Sequence, residues 1–142
     1  MAVPQLALSM SGAKVIAAAN KARNANSVLH LFKPPFNPEV TSTKEEFLAA
    51  ECDFDGYAPA TLTAWGDPIL FGTGWATMAA TQTFRWVAGD DSVTNMVAGT
   101  FLVSSAGDLL TYQVFANPAP MQGPGQAVVN TPIQVTPAGT FG

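Results

Sequence analysis

The sequence predicts a mainly β protein, a β-sandwich or jelly roll with two short helices near its beginning. Seven segments after residue 60 are short, rich in valine, threonine and aromatic residues, and separated by glycine, proline, aspartate or serine. Strand candidates at this spacing are typical of a sandwich or a jelly roll. They are 60–65, 75–79, 81–87, 94–105, 109–116, 126–130 and 132–136.

The first helix is predicted from an alanine-rich stretch, SGAKVIAAANKA (11–22). Val15 and Ile16 recur there with alanines at helical spacing. Ser9 or Ser11 can cap the first turn, because a serine hydroxyl accepts a hydrogen bond from a free backbone N–H. We expect one short helix.

The second helix is predicted over 43–51, TKEEFLAAE. Thr43 and Glu46 have the spacing of a capping box, in which each side chain accepts a hydrogen bond from the other residue's backbone N–H. The two turns that follow are expected to bury Phe47 and Leu48.

A buried strand is predicted over 27–33, SVLHLFK, where apolar residues occupy both alternating faces. The chain must leave the sheet directly afterwards, since proline cannot continue a ladder of hydrogen bonds. Three prolines stand there, at Pro34, Pro35 and Pro38.

The clearest hairpin joins 94–105 to 109–116, across a turn in which Gly107 can take a positive φ. Gly99 lies in the middle of the first strand and indicates a bulge or a large ring lying over it. The proline- and glycine-rich stretch 117–126 is expected to be an irregular, presented loop.

Charged residues are scarce, at 11% compared with roughly 25% in typical soluble domains. Such a surface favours oligomerisation or assembly. Residues 1–33 carry four cations and no acid, for a charge of +4, whereas residues 34–142 carry ten acids against two cations, for −8. We therefore predict a basic helical arm over 1–26 and a single β-sandwich domain over 27–142.

Lys14, Lys21 and Arg23 are candidate docking residues, since a basic arm complements an acidic neighbour. The alternative is a solvated helix face with scattered cations. A net charge of −4 without a basic cluster among aromatic residues disfavours nucleic acid. No apolar run approaches the ~20 residues of a membrane span, and Lys14 interrupts any signal-peptide pattern, so we expect synthesis in a cytoplasm and no membrane partner.

The stretch DFDG (53–56) has two interpretations. Its alternating aspartates resemble the start of a calcium loop, but Tyr57, Ala58 and Pro59 follow where further oxygen ligands are needed. The alternative is a corner, in which Gly56 permits a left-handed turn and Pro59 holds the chain extended into the next strand. We favour the corner.

The other reactive side chains do not form a catalytic pattern. His30 has no nucleophile or acid arranged around it in the sequence, and Cys52 is expected to be a reduced, partly buried thiol. Asp90 and Asp91 are interpreted as a polar hairpin tip. FGTGW (71–75) lacks the third glycine of a phosphate-binding loop. We therefore expect no enzyme activity, no cofactor and no metal.

Three tryptophans are candidate anchors: Trp65, Trp75 and Trp86. Their rings could stack on sugars or bases, but tryptophans on strands are more often part of a core or of a subunit interface. We expect core or subunit contacts.

Four stretches together resemble a group of small tailed-phage proteins encoded among the head and tail structural genes. They are LHLFKPPFNP (29–38), DFDGYAP (53–59), MVAGTFLVSSAGDLLTYQVF (96–115) and PIQVTPAGTFG (132–142). The resemblance implies a virion component. Some small β-rich phage proteins of this kind decorate capsids.

The resemblance does not by itself choose between head and tail. Our main hypothesis is a capsid decoration or cement protein on the virion surface. Its expected partners are the major capsid protein and further copies of itself, in a homotrimer. The alternative is a tail or receptor-binding module that contacts host glycans through loop 117–126 and exposed aromatic residues. A small enzyme is a third possibility that the residues do not favour.

Overall fold

The computed structural model describes residues 6–87, 93–123 and 125–141, the last residue by its backbone only. The prediction of a mainly β protein with two short helices is confirmed. In chain order the elements are β1 (Leu6–Leu8), α1 (Met10–Asn24), β2 (Ser27–Phe32), α2 (Lys44–Ala49), β3 (Ala60–Leu62), β4 (Ile69–Phe71), β5 (Gly74–Met78), β6 (Gln82–Arg85), β7 (Asn95–Val103), β8 (Leu109–Met121), β9 (Ala127–Asn130), β10 (Ile133–Pro137) and β11 (Gly139–Phe141).

These strands form four antiparallel sheets within the described ranges. The largest has the strand order β3-β2-β7-β8, and a second has the order β10-β5-β4. Two smaller sheets pair β6 with β9 and β1 with β11. The jelly-roll order of strands stays a prediction.

The four-stranded sheet is covered on both faces. One face carries Leu29 and Leu102 into the main core, where they pack with aromatic residues from the neighbouring segments. On the other face Phe32 and Phe101 form a second core with Phe47 of α2. The expected burial of β2 on both faces is confirmed, because its residues alternate between these two cores.

Helix α2 begins with the predicted capping box. The Thr43 hydroxyl accepts from the Glu46 amide at 3.2 Å, and the Glu46 carboxylate accepts from the Thr43 amide at 3.4 Å. Phe47 is fully buried, but the expected burial of Leu48 is wrong. A helix of six residues directs one side chain at the sheet, and the next residue lies about 100° further round the helix axis.

Helix α1 packs against β5 and β10. Ser9 caps it, since its hydroxyl accepts from the Gly12 amide at 2.9 Å. Its buried stripe has the spacing of successive turns and consists of Ala13, Ala17, Asn20 and Asn24, whereas Val15 and Ile16 are exposed. Strand β1, which precedes the helix, pairs with β11. The division into an arm over 1–26 and a domain over 27–142 stays a prediction.

Two buried amides fix α1 on β10. The Asn20 side chain donates to the Thr136 hydroxyl at 3.2 Å, and the Asn24 side chain donates to the Gln134 side-chain oxygen. Buried polar groups need such partners, because an unpaired one loses its hydrogen bonds to water. These two bonds set which face of the helix meets the sheet.

The corner predicted at 53–56 is confirmed. The chain turns at Asp55 and Gly56, where Gly56 has a φ of 85°, and β3 begins at Ala60. The Asp53 carboxylate accepts from Lys33 at 3.1 Å and from Asn95 at 3.0 Å. The aspartate therefore ties the corner to the ends of β2 and β7.

The predicted hairpin is formed by β7 and β8, and Gly107 in its turn has a φ of 95°. Both expectations for Gly99 are also confirmed. The β7–β8 register shifts between Val97 and Gly99, and the Phe32 ring lies over the glycine.

The prediction of an irregular loop over 117–126 is wrong for residues 117–121, which continue β8. Phe115 to Pro118 form a bulge opposite Ala98, and Pro120 pairs with Met96. Since β8 is the last strand of its sheet, a proline nitrogen can face the open side without the loss of a ladder bond. Edge position cannot be read from local sequence.

Three short strands, β1, β4 and β11, were not predicted. Asp90 and Asp91 lie outside the described residues. Within the described ranges no helix has the length and hydropathy of a membrane span.

Candidate interaction surface

The three candidate docking residues each contact a partner within the chain. Lys14 Nζ lies 4.8 Å from the centroid of the Trp75 ring, and Lys21 Nζ lies 2.5 Å from the Asp67 carboxylate. Arg23 donates to the Asn20 side-chain oxygen at 2.8 Å. The Lys21 ion pair is exposed to solvent, which screens it, so an acidic surface can displace it.

The three tryptophans divide between core and surface. Trp65 and Trp86 are buried in the main core, and the Trp65 indole N–H donates to the Ser27 hydroxyl at 3.3 Å. Trp75 is half-buried beneath Lys14, and its buried indole nitrogen has no hydrogen-bond partner among the described residues. Of the expected core or subunit anchors, Trp65 and Trp86 are core residues.

The three-stranded sheet has one face covered by α1 and one face that is only partly covered. Three of its side chains contact α1, namely Trp75, Gln134 and Thr136. Side chains alternate along a strand, so the neighbours of these residues point to the opposite face. In the observed register that face collects four large apolar residues, Ile69, Phe71, Ile133 and Val135. We call this set the apolar sheet face.

The apolar sheet face is only half covered by the rest of the molecule. Its four side chains retain between 38% and 46% of their maximal accessibility. Met78, which pairs with Ile133, adds a further half-buried apolar side chain, and none of these residues is charged. A contiguous apolar surface of this kind on a soluble protein is typical of an interaction site.

Strand β4 (Ile69–Phe71) forms one border of this sheet. It has a strand neighbour, β5, on one side only within the described residues. All three of its residues are exposed, and Leu70 retains 66% of its accessibility. Natural edge strands usually carry charges, prolines or bulges that prevent pairing with another chain. The three residues of β4 include none of these, although Asp67 and Pro68 directly precede the strand.

A sequence signal for β4 was present in ILFGTGWATM (69–78). An apolar run, a two-residue turn that contains glycine and a second apolar run are the signature of a tight hairpin. The two glycines of FGTGW (71–75) belong to this hairpin. The structure places Gly72 in the turn with a φ of 58°, and Gly74 begins β5.

A polar cluster around His30 closes a gap beside β2. His30 Nδ1 lies 2.5 Å from a Glu51 carboxylate oxygen, and the Tyr57 hydroxyl donates to the same oxygen at 2.6 Å. The Tyr57 hydroxyl also accepts from the Leu31 amide at 3.1 Å. Leu31 lies between the β2–β3 ladder and the Phe32–Glu51 bridge, where the described residues offer its amide no backbone acceptor. These contacts indicate a structural cluster.

The acidity of these groups follows from their surroundings. Burial raises the pKa of Glu51, but the hydrogen bonds from His30 and Tyr57 outweigh it and hold the pKa below its usual value. Burial, together with the hydrogen bond to Glu51, raises the pKa of Tyr57. Glu51 is therefore the charged acceptor and Tyr57 the neutral donor.

Cys52 is buried, and burial raises the pKa of its thiol to about 12. A thiol in this state is a poor nucleophile, since the reactive species is the thiolate. Among the described residues no group of three or more His, Cys, Asp or Glu side chains is placed to hold a metal ion.

Comparison with known proteins leaves the function to be inferred from these surfaces. No protein-family model matches the chain. Searches of the curated proteins and of the solved structures likewise find no match.

Proposed function

We propose that this chain is a virion structural protein of a tailed phage, specifically a capsid decoration or cement protein that associates with itself and with the major capsid protein. The observation that carries the proposal is the apolar sheet face. It leaves large apolar side chains half exposed on a chain with only 11% charged residues. Such a surface suits a protein whose working state is an assembly.

The binding free energy expected from this face is small for one copy, as in an assembly that is held together by many copies. Full burial of a large apolar side chain contributes roughly 1.5–3 kcal/mol, so covering the exposed 38–46% of each residue on the apolar sheet face contributes on the order of 1 kcal/mol. One copy would therefore bind weakly through this face. Many linked copies would be retained firmly, since each additional contact becomes intramolecular.

The resemblance to small tailed-phage proteins supports the choice of a virion as the assembly. On this proposal the protein is made in the host cytoplasm and resides on the capsid surface. The basic residues of α1 then contact acidic groups of the shell, and the chain associates with further copies of itself.

The alternative is a tail module that binds host glycans through an irregular loop over 117–126 and exposed aromatic residues. Trp65 and Trp86 are buried in the core and cannot stack on a sugar. Residues 117–121 form the end of β8. The structure therefore offers this alternative less support than the apolar sheet face gives to an assembly role.

Immunogold electron microscopy of purified virions, with an antibody raised against this chain, tests the proposal. Dense labelling over the head is expected. Labelling confined to the tail would instead support the receptor-binding alternative. Virions without label would show that the protein is not part of the particle.

A binding experiment tests the role of the apolar sheet face. Purified protein is added to capsids that lack it, and the bound fraction is measured by sedimentation. Val135→Lys should lower the occupancy. Val129→Lys is the matched control, because Val129 is an exposed valine on β9, in a different sheet. Equal occupancy for both variants would show that the face plays no part in assembly.

A further inference from the structure

We propose that β4 pairs antiparallel with β4 of a second copy, about a two-fold axis at Leu70. The two three-stranded sheets then become one sheet of six strands. This inference goes beyond the proposed function, since it concerns the purified chain and does not require a capsid. It replaces the trimer expected from the sequence by a two-fold dimer.

The backbone of β4 has one donor and one acceptor ready for this contact. Phe71 and Gly74 close a two-residue turn, so they form a hydrogen-bonded pair. Pairs alternate along an antiparallel ladder, so the next pair, Leu70 and Trp75, is not hydrogen-bonded. The Leu70 N–H and C=O therefore point away from β5, towards the open edge.

A two-fold axis at Leu70 satisfies both groups at once. The N–H of each Leu70 donates to the C=O of the other, which is the pattern of a hydrogen-bonded pair in an antiparallel ladder. The same register places Ile69 of each copy opposite Phe71 of the other. Both residues belong to the apolar sheet face, so each forms an aliphatic–aromatic cross-strand pair.

The side chains around the axis do not oppose this contact. Asp67 is the nearest charged residue in sequence before β4, and it pairs with Lys21 of its own chain. In the proposed register Asp67 faces Thr73 of the second copy, so like charges are not opposed. Helix α1 packs on β5 and β10 and leaves β4 as the border of the sheet.

A second copy is the occupant that fits this edge best. The contact is isologous, so one interface closes the open edges of both molecules. It also joins the two apolar sheet faces into one continuous apolar surface, without any other component. An unpaired apolar edge would instead be a template for aggregation.

The mass of the full chain in solution tests the proposal. Analytical ultracentrifugation of the purified protein should give a dimer, with twice the 14.8 kDa of the chain. A chain that stays monomeric, or a trimer, would overturn the pairing. Because the experiment uses no capsid, a failure of the virion proposal leaves this result standing, and the reverse also holds.

The introduction of a charge of either sign at position 70 tests the position of the two-fold axis. The two copies of residue 70 face each other, so Leu70→Lys alone and Leu70→Glu alone should each weaken the dimer at least about tenfold through like-charge repulsion. An equimolar mixture of the two variants should restore it. Val129→Lys and Val129→Glu, at a valine with 63% accessibility on β9, should leave the dimer unchanged. Variants as dimeric as the wild type, or a mixture that stays monomeric, would overturn the proposal.

Hydrogen exchange of the wild-type protein gives a readout that does not depend on a variant's folding. The Leu70 amide has no partner among the described residues of a single copy and should become protected as the protein concentration rises. The Phe71 amide is bonded within the β4–β5 hairpin and should be protected at all concentrations. A Leu70 amide that exchanges rapidly at every concentration would contradict the pairing.

Discussion

The ring of Phe32 occupies the space that a side chain on Gly99 would need. A Cβ atom built on Gly99 would lie 2.7 Å from the Cε1 and Cζ atoms of the ring and 2.0 Å from the Gln113 carbonyl oxygen. The two residues are also direct partners in the ladder between β2 and β7. Glycine at 99 is therefore what allows the Phe32 ring to lie across β7.

Gly99→Ala should destabilise the protein, because the added methyl group must displace either a packed ring or a strand. Overpacking of this kind costs about 1–3 kcal/mol. Urea unfolding of the variant and the wild type measures the loss. Gly123→Ala is the control, since a Cβ there would meet nothing within 4 Å, and its effect should stay within about 0.5 kcal/mol. Similar losses for both variants would contradict the close contact.

Tyr57→Phe should also destabilise the fold, although it removes a single oxygen atom. The Leu31 amide would lose its acceptor, and the Glu51 carboxylate would lose a donor. A buried group left without a partner costs about 1–3 kcal/mol. Chemical denaturation measures this loss.

Tyr112→Phe provides the matched control for that experiment. The ring of Tyr112 packs against the ring of Phe47 beside the second core, with 5.3 Å between the two ring centroids. Phenylalanine keeps this ring. Its effect should be within about 0.5 kcal/mol. Equal losses of unfolding free energy for both substitutions would contradict the role of the Tyr57 hydroxyl as the acceptor for the Leu31 amide.

The pH dependence of stability should report on Glu51. Its folded-state pKa lies below the usual value of 4.5, so the unfolded chain takes up a proton first as the pH falls. The stabilisation is therefore complete above about pH 4.5 and is lost as the pH falls through the folded-state value.

Urea titrations at successive pH values should show this loss in the wild type and a flatter curve for Glu51→Gln. Part of the slope should remain in the variant, because the pKa of Asp53 is also lowered, chiefly by its hydrogen bond with Asn95. Identical slopes for variant and wild type would exclude a role for the Glu51 carboxylate.

The docking hypothesis for α1 predicts an electrostatic effect on capsid binding. Replacing Lys14, Lys21 and Arg23 together by glutamine should lower capsid occupancy at physiological salt, whereas the chain should stay folded because their contacts are largely at the surface. A charge-conserving variant with Lys14→Arg, Lys21→Arg and Arg23→Lys is the control. Unchanged occupancy for the glutamine variant would contradict docking through these residues.

Local signals in the sequence predicted much of the fold. The capping box at Thr43 and Glu46 marked the start of α2, and the glycine in the middle of β7 indicated the ring that lies over it. Both features depend on interactions over a few residues or on a single missing side chain. Such constraints leave a direct trace in the sequence.

Features that depend on strand neighbours were not predicted. The continuation of β8 through Pro118 and Pro120 requires an edge position and a bulge, which only the assembled sheet provides. The apolar sheet face combines β4 and β10, more than sixty residues apart in the chain. The residues of the apolar sheet face lie in short strands. Their exposure depends on which face of the sheet α1 covers, and this cannot be read from the local sequence.

The β1–β11 ladder makes the distance between residues 6 and 141 a measure of folding. Leu6 pairs with Phe141, so these two positions meet only after nearly the whole chain has been arranged between them. Closing so long a loop carries an entropic cost that local pairings avoid. A donor and an acceptor fluorophore attached at these positions would transfer energy efficiently in the native protein, and the loss of transfer would report the separation of β1 from β11.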